Sequence, residues 1–212
     1  MKKFELTAEF VTNVFGKKLF RIKALVAFGN VEKGELGGFI EKEDNLSHDG
    51  DAWVSGNAQV SGNAQVSGNA RVCGDARVCG NARVCGDAQV CGDARVCGNA
   101  RVCGNAQVSG NAQVYGNAQV FGNAQVFGNA DYAVVAGFGR YFRTTTFFRC
   151  KDKILRVQCG CFYGDLAQFR EIVKKTHGDS KYAKEYLAIA DLMELHFSDK
   201  CGGEQMNDGK IY

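Results

Sequence analysis

A chain of 212 residues with 45% apolar composition can bury one elongated core or two small ones. Its formal charge of +3 supplies neither a polybasic nucleic-acid tail nor an acidic surface mimic. No run approaches the ~20 apolar residues of a membrane span, and the charged first segment, MKKFELTAEFVTNVFGKKLF, lacks a signal-peptide core, so a soluble cytoplasmic chain without membrane contact is expected. Proline is absent while glycine reaches 27 residues, so backbone N–H groups are wanted nearly everywhere.

Residues 1–50 read as an N-terminal β-rich cap. FELTAEFV and LFRIKALVAF flank FGKK as a hairpin, and GNVEKGELGGFIEKEDNLSHDGD leads onward. Residues 52–129 then form thirteen unbroken hexads of the pattern Ala-x-Val-x-Gly-Asn/Asp, within a repeat domain placed at 51–130. Ala and Val lie two apart and share one side of an extended segment, while Gly and Asn or Asp suit a corner. Strand and corner in alternation make the chain coil, and stacked coils bury the Ala and Val together.

Valine followed four positions on by a small residue resembles the hexapeptide of left-handed parallel β-helices. That resemblance implies the hand, three hexads per 18-residue coil and about 4.3 coils, with a shaft roughly 20 Å tall. Stacking residue n on n+18 then pairs Cys73 with Cys91, Cys79 with Cys97 and Cys85 with Cys103, one pair per face. Arg77 falls over Arg95, Arg83 over Arg101 and Arg71 over Gln89. Residues 70–105 thus form a belt whose five arginines and three aspartates net +2. Thiols on three faces cannot converge on one zinc ion, and parallel side chains in a reducing compartment disfavour disulfides. The cysteines are therefore expected to replace the serines at 55, 61, 67 and 109. Above the belt the same slot holds Tyr115, Phe121 and Phe127, one aromatic per face, which something should cover, the C-terminal segment by preference.

Residues 131–212 form the C-terminal cap. RTTTFFRC and ILRVQCGCF make a hairpin turning at Lys151–Lys153, whose register sets Cys159 against Thr145. DLAQFREIVKKTHG is a helix opened by an Asp165/Gln168 capping box, with Leu166, Phe169, Ile172 and Val173 on one face. SKYAKEYLAIADLMELHF is a second helix, facing the core with Tyr182, Tyr186, Ile189, Met193 and Phe197. The tail CGGEQMNDGKIY is expected to fray, and Cys150, Cys159, Cys161 and Cys201 are too dispersed for a metal site. No cofactor or metal is expected.

Left-handed β-helix acyltransferases use a histidine between coils and often an extruded loop. Here His48, His177 and His196 all lie in the flanks, and the repeat has no insertion, so catalysis is not expected. LGGFIEKEDNLSHDGDAWV at 36–54, the VxGNA ladder and THGDSKYAKEYLAIADL at 176–192 resemble hexapeptide-repeat proteins of bacteriophages and prophages. The resemblance implies a mobile-element origin and residence in a bacterial host cytosol, with no known activity. The expected function is non-catalytic binding of a host protein, as an inhibitor of a defence system such as CRISPR. Alternatives are a self-assembling homo-oligomeric solenoid, a nucleotide or nucleic-acid binder, and last a hexapeptide acyltransferase. Candidate binding residues are Arg71, Arg77, Arg83, Arg95, Arg101, Tyr115, Phe121 and Phe127.

Overall fold

The computed structural model describes residues 1–198. The tail from 199, including Cys201, lies outside them. The chain opens with an antiparallel hairpin, β1 (Phe4–Thr12) and β2 (Lys18–Ala24), followed by β3 (Leu36–Ile40). Thirteen two-residue strands then run from Trp53–Val54 to Gln125–Val126 as a β-solenoid, one for each hexad. An antiparallel sheet of four strands and two helices complete the described residues.

Within the shaft each strand pairs in parallel with the strand 18 residues on, as Val78 with Val96 and Val72 with Val90. Every hexad alanine from Ala52 to Ala124 and every valine from Val54 to Val126 has no exposed surface. Burying one valine is worth about 1.5–3 kcal/mol, so this ladder dominates the stability of the shaft. The corners differ from the sequence expectation in one respect, because only glycine takes positive φ. From Gly56 to Gly122 it lies between +62° and +75°, and the next residue stays at negative φ. Ala58 N–H donates to the Ser55 carbonyl at 3.3 Å, closing a type II′ pattern of turn. The asparagine does another job: its side chain bonds the next coil, as Asn81 to Asn99 (3.1 Å) and Asn99 to Asn117 (3.0 Å). Gly128, at φ −154°, is the first hexad glycine without the corner conformation, and the chain leaves the shaft there.

The shaft begins earlier than the hexads do. Phe39 and Ile40 pair in parallel with Gln59 and Val60, and Leu46 bridges to Val66, so an irregular first coil brings the total to about five. These pairs are offset by 20 residues where Trp53 and Arg71 are offset by 18, so two extra residues sit between Leu46 and Val54. Gly38 occupies the alanine slot because a Cβ there would come within 2.7 Å of the Ala58 carbonyl. The N-terminal hairpin continues one face of the shaft as antiparallel strands. Side chains satisfy backbone carbonyls at this end. Buried Lys3 donates from Nζ to the Gly50 and Ala52 carbonyls at 3.0 and 2.9 Å, and buried Asn45 donates from Nδ2 to Gly62 and Ala64 at 3.1 and 2.8 Å. Burial pulls the Lys3 ammonium below its ordinary range, against the opposing pull of Asp51 and Asp49.

Strands β17 (Tyr132–Phe138), β18 (Arg143–Arg149), β19 (Leu155–Cys159) and β20 (Phe162–Asp165) form the second sheet. The predicted β18–β19 hairpin has the predicted register, Cys159 against Thr145, and β17 and β20 extend it. Helices α1 (Leu166–His177) and α2 (Lys181–Ser198) pack over it around Phe147, Val157, Phe169, Tyr186 and Met193. Asp165 accepts from Gln168 N–H at 2.8 Å and Gln168 accepts from Asp165 N–H at 3.0 Å, the expected capping box. Two expected core residues face outward: Ile172 is 37% and Tyr182 38% exposed. No helix among the described residues is long and apolar enough to cross a membrane.

Candidate functional site

The belt of Arg and Cys is present, and it is divided among three faces. Arg77 pairs in register with Arg95 on one face and Arg83 with Arg101 on a second, while Arg71 lies between Trp53 and Gln89 on the third. No face gathers more than two of the five guanidinium groups, so the belt does not focus positive charge on one ligand.

The cysteines require a correction. Cys73–Cys91 and Cys85–Cys103 are disulfides, each with Cα–Cα 4.7 Å, and are not simple substitutes for serine. The spacing of neighbouring coils already falls within the 4.4–6.8 Å that a disulfide spans, so parallel side chains are no obstacle. The third pair, Cys79 and Cys97, remains as thiols, both half-buried. A hydrogen bond from Cys97 brings Cys79 down to about 7 against the opposing effect of burial, with Arg77 and Arg95 adding to the fall. Cys97 moves the other way, raised by that same bond and by burial.

The aromatic slots are only partly covered. Phe121 is half-buried, but Tyr115 is 41% and Phe127 51% exposed. The C-terminal sheet reaches the first of them through Tyr132, whose hydroxyl donates to the Gln113 carbonyl beside Tyr115.

A more concentrated surface lies where the sequence reading placed none, at the turn between β17 and β18. Gly139, at φ +73°, leaves no room for a Cβ beside the Tyr186 ring, and its N–H donates to Glu185 Oε2 at 2.9 Å. The turn is thereby tied to α2. Tyr141 and Phe142 project from it, 62% and 73% exposed, and Phe142 holds φ +50°, a left-handed conformation uncommon for a bulky residue. Arg140 and Arg143 stand over the Tyr141 ring at 5.6 and 5.0 Å, and neither is paired with a carboxylate among the described residues. Beneath the turn is a cavity of about 320 Å³ lined by Phe162, Phe169 and Val173, with no Asp or Glu among its described lining residues. Tyr186 forms part of its wall, its hydroxyl pushed up to about 12 by burial first and by Cys159 second. Cys159 Sγ accepts from Thr145 Oγ1 at 3.2 Å. Among the described residues no three Cys, His, Asp or Glu side chains gather as a metal site. The signal for this surface was the run Gly-Arg-Tyr-Phe-Arg at 139–143, aromatics and arginines at a glycine turn.

A parallel shaft of 18-residue coils carrying a separate antiparallel sheet with two helices defines a β-solenoid protein with an appended α+β unit. Its repeats are similar to the YdcK beta solenoid repeat, a family model that matches residues 58–74, 64–79, 76–92, 88–104, 94–110, 106–122 and 112–128. The match stays within the shaft, about one third of the chain, and leaves the C-terminal unit unmatched. No curated protein matches the chain. The flanking stretches 36–54 and 176–192 lie outside the matched segments.

Proposed function

We propose that this is a non-catalytic interaction protein in which the solenoid is a rigid support and the 139–143 turn, with the cavity beneath it, is the recognition face. The carrying observation is the pair of exposed rings at Tyr141 and Phe142, the second on a left-handed backbone, between two arginines without carboxylate partners among the described residues. Aromatic and arginine side chains supply most strongly binding interface residues, and exposed rings on a strained turn are costly to keep without a use. The partner this chemistry suits is a protein offering an acidic group to the arginines and an apolar side chain to the cavity. In the finer form of the proposal that partner is a bacterial host protein, in the cytosol, belonging to a defence system. That form rests on the bacteriophage resemblance of the flanks. The division of the belt over three faces weighs against nucleic acid as the main partner.

The test is capture from bacterial lysate with the wild-type chain and with a Tyr141→Ser/Phe142→Ser variant. A stoichiometric partner retained by the first and lost by the second supports the proposal. Equal retention by both, or self-association as the only binding detected, counts against it.

A further inference from the structure

Three cysteine pairs join the same two coils, one on each face, and two of the three are closed. We propose that the third, Cys79 and Cys97, is a reversible dithiol–disulfide site that takes small-molecule disulfides as oxidant and thiols as reductant. The inference is independent of the recognition face proposed above.

The geometry carries it. Arg77 and Val78 pair in register with Arg95 and Val96, so Cys79 and Cys97 hold the same relation as the two linked pairs, whose Cα atoms lie 4.7 Å apart. Backbone bonds of 2.9 Å fix both residues, from Cys79 N–H to the Val96 carbonyl and from Cys97 N–H to the Val114 carbonyl. Little main-chain movement is therefore needed to close the bond. Both thiols are half-exposed, so a small oxidant can reach them; of the other described free cysteines Cys150 is buried, Cys159 is engaged by Thr145, and Cys161, though exposed, lies outside the ladder. Arg77 and Arg95 on the same face favour a thiolate, and the acidity of Cys79, near 7, suits attack at neutral pH.

The reaction balances as an exchange. The Cys79 thiolate attacks one sulfur of a disulfide RSSR, forming Cys79–S–S–R and releasing RS⁻, which takes up a proton. Cys97 loses its proton, attacks Cys79 Sγ, forms the Cys79–Cys97 bond and expels the second RS⁻. Two protein thiols are oxidised and one small disulfide is reduced to two thiols. The product links the two coils on all three faces, so the belt is closed or open according to the thiol–disulfide balance around it.

The experiment treats the full chain with glutathione disulfide at pH 7, alkylates the remaining thiols and digests with trypsin. Cys79 and Cys97 emerge in the same hexapeptide, VCGNAR, at 78–83 and 96–101, so their bond appears as the disulfide dimer of that peptide. The expected result is that dimer, lost again on reduction. Cys97→Ser should trap glutathione on Cys79, while Cys79→Ser should slow modification at Cys97 at least tenfold. Ser61 occupies the same column of the ladder one coil below, so both variants fit the shaft. No VCGNAR dimer, a lasting glutathione adduct on the wild-type VCGNAR peptide, or equal rates in the two variants would overturn the proposal.

Discussion

The shaft and the C-terminal unit use the same kinds of residue to opposite ends. In the shaft, glycine takes positive φ at twelve successive corners, and from Gly56 to Gly104 each corner is repeated by the glycine one coil on, so no one of these residues is distinguished. In the C-terminal unit positive φ falls at separate turns, at Gly137, Gly139, Phe142, Lys153, Gly160 and Gly178, and among these Phe142 alone carries a large exposed ring. Arginine follows the same contrast, shared among three faces of the shaft but paired about one ring at the turn. Repetition spreads a feature evenly and yields stability, whereas recognition needs the feature gathered in one place.

The largest expected effect breaks the repetition. Gly74→Val places a branched side chain at φ +68°, where even a Cβ would stand 3.0 Å from the Gly92 backbone nitrogen. A loss of about 3 kcal/mol in unfolding free energy is expected by urea denaturation, with the slope of the transition unchanged. A smaller effect sharpens the contrast between buried and exposed ladders. Asn81→Ala removes the side-chain bond donated to Asn99 and the longer one accepted from Asn63 at a solvent-exposed corner, and should cost only about 0.5–1 kcal/mol in the same assay. A loss as large as that of the glycine variant would mean that the corner ladders, and not the Ala and Val core, hold the coils together.

Most of the shaft was legible because its period is exact in the letters: Ala and Val two apart, glycine at each corner, and an 18-residue stack. The first coil was hidden because Gly38, Ile40 and Leu46 keep the shape of the repeat without its letters, with two residues inserted before Val54. In the C-terminal unit, the capping box and the β18–β19 register are local and could be read. The placement of β17 and β20 beside that hairpin depends on long-range pairing, which alternation alone does not specify. The cysteine pairing could be read but not its oxidation, since spacing permits a disulfide without requiring one. The turn at 139–143 carried a signal in its composition, yet its meaning depends on the cavity that α1 and β20 complete beneath it.

Affinity for a captured partner, measured with two double variants, tests most directly where recognition resides. Arg140→Gln/Arg143→Gln removes both cations from the turn, and Arg77→Gln/Arg95→Gln removes as many from one face of the shaft. At least a tenfold weaker Kd is expected for the first variant and an unchanged Kd for the second. The reverse order would place recognition on the belt and contradict the proposed recognition face.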